Sequence, residues 1–105
     1  MVIIETSFFT KQVQKLLSDD EYADLQAALT QRPNMGQLII GGGGLRKTRW
    51  RIQGRGKRGG TRVIYYWAVE PNQLLMLMIY PKSQQEDLSP DQLRILKTII
   101  EDEYP

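Results

Sequence analysis

Eight of the fourteen Lys and Arg residues in this 105-residue chain fall between Leu45 and Arg62, in the stretch LRKTRWRIQGRGKRGGTR. No acid interrupts the chain from Leu25 to Val69, yet the whole sequence has a net charge of only +2. Crowding like charges costs self-repulsion, and a densely anionic partner offsets it; a nucleic-acid backbone fits that description. The chain has neither Cys nor His. Disulfides, zinc–thiolate and His-ligated metal sites, and Ser-His-Asp or Cys-His nucleophiles are therefore excluded. The chemistry open to clustered Lys and Arg is phosphate chemistry. They can bind RNA or DNA, or stabilise the charge that grows on phosphorus when an RNA strand is cut at a 2′-hydroxyl. Cleavage also needs a proton acceptor. Like charges disfavour an ammonium, so a lysine ringed by cations is a candidate. Lys47 or Lys57 would then move the proton, while Arg49 and Arg62 hold the scissile phosphate. The plainer alternative is that these cations bind a backbone and do no chemistry.

These side chains need elements to aim them. Alternate residues of a strand share a face. Lys47, Arg49 and Arg51 thus point one way, and Arg46, Thr48, Trp50 and Ile52 the other, with Trp50 and Ile52 turned toward helices. In the next strand Arg62, Ile64 and Tyr66 share one face and Val63, Tyr65, Trp67 and Val69 the other. Which of these faces joins the cationic row depends on register, which the sequence leaves open. The connection from Gly54 to Gly60 carries Arg55, Lys57 and Arg58. It reads either as a loop contacting RNA or DNA or as a solubilising hairpin tip; its glycines would let backbone N–H groups approach phosphates. It also satisfies the glycine spacing of a dinucleotide fingerprint, but a strand follows it rather than a helix. Gly41 to Thr48 resembles a phosphate-binding loop, but Arg46 precedes Lys47 where glycine is needed. Its four glycines read better as a turn into the basic strand. Tyr65, Tyr66, Trp67 and Trp50 read mostly as core, with one or two available to stack on bases. Tyr80 suits either the core or the basic site.

The remaining pattern supplies the scaffold. Val2 to Glu5 suits a first strand. Phe8, Phe9, Val13, Leu16 and Leu17 recur at helical spacing after a Thr6 or Ser7 cap. Ser18 and Glu21 form a capping box for a second helix, which Pro33 ends. Thr61 to Val69 and Leu74 to Lys82 are strand-like runs joined by a Pro71-Asn72 turn. Ser89, Pro90 and Gln92 open a last helix with Leu93, Leu96, Ile99 and Ile100 on its apolar face. The expected order is β-α-α-β-β-β-α. This is an α+β domain over residues 1–105, a mostly antiparallel sheet of three or four strands with helices packed on one side. No apolar run approaches a membrane span and the N-terminus lacks signal-peptide features, so a cytoplasmic protein is expected.

Taken in order, Gly44-Leu45-Arg46-Lys47, Gly56-Lys57-Arg58-Gly59-Gly60, Thr61-Arg62-Val63-Ile64-Tyr65-Tyr66 and Ile79-Tyr80-Pro81-Lys82 resemble the RelE/ParE superfamily of bacterial toxins, nearest its HigB-like branch. The resemblance covers nearly the whole chain and implies a compact RelE-like domain. It further implies a metal-independent, cofactor-free ribonuclease that cuts mRNA in the ribosomal A site. Its partners would be the ribosome, mRNA and a cognate antitoxin. That antitoxin is a small, often helix-turn-helix protein, through which alone the toxin meets operon DNA. By the same resemblance Lys47, Arg49, Arg62 and Lys82 fall on the family's basic site positions. Ser83 stands where RelE has an arginine, with Lys57 or Arg58 as the replacement charge. Ser89 stands near the position of a catalytic tyrosine, with Tyr80 as the substitute. Arg46, Arg51, Arg55, Lys57 and Arg58 would contact RNA or ribosome. The competing readings are a ParE-like toxin acting on DNA gyrase, whose relatives generally lack this basic cluster, and a plain RNA-binding protein.

Overall fold

In the computed structural model, which describes residues 1–51 and 60–105, eight elements follow one another. They are β1 (Val2–Glu5), α1 (Ser7–Leu16), α2 (Asp19–Gln31), β2 (Gln37–Leu38), β3 (Leu45–Trp50), β4 (Thr61–Ala68), β5 (Gln73–Pro81) and α3 (Pro90–Glu103). Each helix starts where the sequence offers its first N–H groups an acceptor. Thr6 Oγ1 accepts from Phe9 N at 3.1 Å, and Ser18 and Ser89 each complete a capping box, with Glu21 and Gln92. Replacing such a cap with alanine costs about 1 kcal/mol.

One sheet holds all five strands in the order β1-β5-β4-β3-β2. Three pairings are antiparallel, and β1 lies parallel to β5. The strand beyond the expected three or four is β2, two residues long, which pairs Gln37 with Lys47 and Leu38 with Arg46. Its turn is the glycine-rich segment: Gly42 N donates to Ile39 O and Leu45 N to Gly42 O. Gly44 has a φ of +107°, and a Cβ there would lie 2.7 Å from the Tyr66 ring, so the position is closed to other residues.

The helices do not share one side as the sequence suggested. Phe9, Val13, Leu25 and Leu29 of α1 and α2 pack with Val63, Tyr65, Leu74 and Met76 on one face. Leu96 and Ile100 of α3 pack with Leu45, Ile64, Leu75, Leu77 and Met78 on the other. The cause lies in the two central strands, β4 and β5, whose alternating residues are apolar on both faces. Such strands need cover on both sides. Each fully buried Phe or Leu contributes roughly 1.5–3 kcal/mol, so an open second face would forfeit much of the stability. Among the described residues no helix is long and apolar enough to cross a membrane.

A β-bulge sets the phase of the site. Ile64 pairs with Met78 but Tyr65 with Met76, leaving Leu77 as the extra residue. Thr6 Oγ1 donates to the Leu77 carbonyl at 3.0 Å, giving the bulged backbone a partner. Leu77 and Met78 both join the α3-side core, after which alternation resumes with Ile79 on the α1/α2 face and Tyr80 on the α3 face. Strict alternation from Leu74 would have turned Tyr80 the other way.

Candidate active site on the α3 face of the sheet

The register left open by the sequence is fixed here: Arg49 lies directly opposite Arg62, and Arg62 directly opposite Tyr80. Directly opposed residues project to the same face, so these side chains form a row across β3, β4 and β5. Lys47, opposite Ile64, stands one step along the same face. Burial divides the row sharply. The side chains of Arg49 and Arg62 are 73% and 1% exposed, and Tyr80 is buried within the α3-side core.

Like charges placed directly across a ladder repel, and a buried guanidinium needs an anionic or hydrogen-bonding partner. Both needs are met from a segment the charge pattern did not single out, the β5–α3 connection. Glu86 receives hydrogen bonds from Arg62 Nη2 on both carboxylate oxygens at 3.2 Å, and its Oε1 lies 4.0 Å from Arg49 Nη2. Next to it, Asp87 Oδ1 accepts from Lys47 Nζ at 2.5 Å. The hydrogen bond from Arg62 is the main cause that holds the Glu86 carboxyl below the usual carboxylate range, with the charges of Arg62, Lys82 and Arg49 helping. Lys47 does the same for Asp87. Burial, and then the charge of Asp87, push the Tyr80 hydroxyl upward.

The connection is fastened at several points. Tyr80 Oη donates to the Glu86 carbonyl at 3.4 Å. The Gln85 amide donates to Gln92 Oε1 at 2.8 Å and to the Asp87 carbonyl at 2.9 Å. That same Gln92 oxygen accepts from Ser89 N in the α3 cap, and Leu88 packs on the α3-side core. The helix cap and the acidic pair are thus parts of one hydrogen-bonded unit. Open space lies beside it. A cavity of about 360 Å³ borders Lys47 and Asp87, walled by Leu38, Ile39, Leu88 and Leu93. A second, of about 420 Å³, runs past Met35, Gln37, Lys47, Thr48 and Arg49.

The other candidates from the sequence fall out as follows. Lys82 is exposed at the end of β5, close enough for its charge to act on Glu86. Its backbone N–H donates to Gly60 O at 3.1 Å. Arg51 is exposed just past β3. Arg46 is not brought to the row: its Nη1 donates to the backbone carbonyls of Gly36 at 2.8 Å and Asn34 at 3.4 Å. Arg55, Lys57 and Arg58 lie outside the described residues. Tyr65, Trp50 and Trp67 pack on the α1/α2 face. Tyr66 stacks at a tilt on Tyr104, with ring centroids 5.4 Å apart.

One premise of the sequence reading changes. Lys47 meets the Asp87 carboxylate rather than a ring of cations. Glu86 and Asp87 were missed because, in one dimension, they are ordinary polar residues ahead of a helix. The signal available was their position, four and five residues past the Pro81-Lys82 strand end, where a short connection must fold back over the sheet. Among the described residues no group of His, Cys, Asp and Glu is assembled that could hold a metal ion.

A compact α+β domain is what the sequence resemblance implied. A protein-family model, described as the RelE toxin of the RelE/RelB toxin–antitoxin system, matches residues 1–103. The chain belongs to the RelE toxin family. RelE is one half of a toxin–antitoxin system, so membership implies a cognate antitoxin as partner. In this RelE-family chain the described site candidates within the motifs that carried the resemblance come from three strands and the residue after the last of them. Lys47 and Arg49 come from β3, Arg62 from β4 and Tyr80 from the end of β5, with Lys82 just past it.

Proposed function

We propose that the chain is a ribosome-dependent endoribonuclease of the HigB-like branch, acting in the cytoplasm to cut mRNA in the ribosomal A site and so halt translation. The observation that carries this reading is the cross-strand row Arg49–Arg62–Tyr80 with Lys47 beside it. Preorganised cations close to the reacting group are what a phosphorane transition state requires. Arg49 is exposed and supplies the direct phosphate contact, and Lys82 supplies a second charge at the strand end. Lys47 borders both cavities and guides the adjoining nucleotides. Arg62 is too deeply buried to meet a phosphate while Glu86 covers it, so it acts on the row from beneath. The ribosome contributes the positioning of mRNA, which suits a shallow site with modest chemistry of its own. A small helix-turn-helix antitoxin, acidic where it meets the basic row, neutralises the toxin and links it to operon DNA.

The test is primer extension on mRNA after a brief pulse of expression. Discrete cuts that vanish when translation initiation is blocked are expected. Their absence, with an SOS response and halted replication, would instead mark a gyrase poison. Arg49→Ala and Arg62→Ala should each abolish most of the cutting.

A further inference from the structure

We propose that Glu86 is the general base of the site, accepting the proton of the attacking 2′-hydroxyl, with Arg62 and Tyr80 as the residues that position it. The inference rests on the ribonuclease reading above and deepens it. RNA scission at a 2′-hydroxyl needs a group with an available lone pair beside the phosphate contact. Lys47 donates to Asp87, and a donating ammonium has no lone pair to offer. Tyr80 is buried and donates to a backbone carbonyl. Glu86 is half-exposed, with its side chain 46% accessible. Both its oxygens accept from one Arg62 nitrogen, and a carboxylate with about four lone-pair sites keeps acceptor capacity beyond those two bonds. It also lies 4.0 Å from the exposed Arg49 guanidinium. A nucleotide whose phosphate rests on Arg49 and Lys82 therefore brings its neighbouring 2′-hydroxyl to the Glu86 carboxylate.

This arrangement also explains why the central arginine is buried. A carboxylate at a phosphate site would repel the substrate, but the charges of Arg62, Lys82 and Arg49 all act on Glu86. The patch thus stays cationic with Glu86 ionised. Arg62 fixes the side chain from one direction, and Tyr80 holds the backbone of the same residue from another. A base so constrained needs little reorganisation at the moment of reaction.

The step balances without a further reactant. The 2′-hydroxyl proton passes to Glu86, and the 2′-oxygen bonds to phosphorus. The bond from phosphorus to the 5′-oxygen breaks, and that oxygen leaves with a proton from water. The products are a 2′,3′-cyclic phosphate and a 5′-hydroxyl end, and Glu86 returns its proton to solvent.

The experiment measures single-turnover cleavage of mRNA on programmed ribosomes for the wild type, Glu86→Gln and Glu86→Asp, with thermal melting of each and binding to a short RNA oligonucleotide. Glu86→Gln is expected to cut at least about 100-fold more slowly, the scale of lost general-base catalysis, while binding RNA as tightly as the wild type or more tightly. Glu86→Asp should keep part of the rate. In Arg62→Lys, the acid limb of the pH–rate profile should move to higher pH, which a purely structural arginine would not cause. Glu86→Gln cutting as fast as the wild type, or faster, would overturn the proposal and make Glu86 a cover over the cations. A folded wild type that never cuts on the ribosome would overturn the ribonuclease reading itself, and the base assignment with it.

Discussion

Arg46 and Arg49 stand three residues apart on β3, on opposite faces of the same sheet, and the comparison separates structure from chemistry in this protein. On the α1/α2 face Arg46 and Tyr65 spend their polar groups on backbone. Arg46 holds the carbonyls of Asn34 and Gly36. Tyr65 donates to Pro33 O at 2.6 Å and accepts from Gly36 N at 2.9 Å. Together they pin the turn that leads from α2 into β2. On the α3 face Arg49 points to solvent, and Arg62, Glu86, Lys47 and Asp87 form charge pairs among themselves. Tyr80 pins a connection as Tyr65 does, but what it pins carries the carboxylates. Residue type therefore did not decide role. The neighbours did, and the face of the pleat decided the neighbours.

The comparison can be broken most severely in the core beneath the structural face. Phe9→Ala empties a fully buried site among α1, α2 and the sheet, and should cost about 3–5 kcal/mol in a denaturant titration. Below its melting temperature, cut-site positions in mRNA should not change. The converse variant is Arg62→Leu, which keeps apolar volume while deleting the charge. Glu86 then loses its Arg62 partner but is exposed enough to hydrate, so the stability cost should stay below the roughly 3–5 kcal/mol of breaking a fully buried pair, while the cleavage rate of the folded variant should fall about 100-fold, equivalent to about 2.7 kcal/mol of barrier.

Between those extremes lie the tyrosines. Tyr65→Phe leaves the buried Gly36 N–H and the Pro33 carbonyl without their partner, which should cost about 1–3 kcal/mol in thermal or chemical melting. Its cleavage rate should stay near wild type. Tyr80→Phe removes a longer hydrogen bond and should cost no more than about 1 kcal/mol, yet slow cleavage by loosening the connection that bears Glu86. A pair of variants with these orders reversed would erase the distinction between the faces.

The smallest effect concerns pH. The folded-state pKa values of Glu86 and Asp87 are lowered. Their contribution is thus present above the ordinary carboxylate range and is lost as pH falls through the depressed folded values. Amide protection factors in the β5–α3 connection should fall at acid pH before those of the α1/α2 core. The double variant Glu86→Gln/Asp87→Asn should remove that acid-specific loss of protection.

Most of the fold was legible because the chain states its elements locally. Ser18-Glu21 and Ser89-Gln92 cap their helices in place, and the β-branched and aromatic run from Thr61 to Ala68 marks β4. The helix placement on both faces was less visible, since it depends on β4 and β5 being central and apolar on each side. The two-residue β2 has too little pattern to declare itself. The site was half legible. Its cations announced themselves by density, but their common face needed the Arg49–Arg62 register, and Tyr80 needed the Leu77 bulge. Neither is encoded within a single strand. Glu86 and Asp87 gave only a positional signal for the same reason: their meaning arises when a connection 24 residues after Arg62 returns to it.

The most direct measurement compares Arg49→Ala with Arg46→Ala for cleavage of mRNA on translating ribosomes, at a temperature where both variants are folded. Arg49→Ala should lose at least about 100-fold, the scale of losing a preorganised charge contact in the transition state, with its melting temperature unchanged. Arg46→Ala should lower the melting temperature while keeping a rate close to wild type. Equal losses of cleavage in the two variants, or a greater loss in Arg46→Ala, would contradict the assignment of the chemistry to the α3 face.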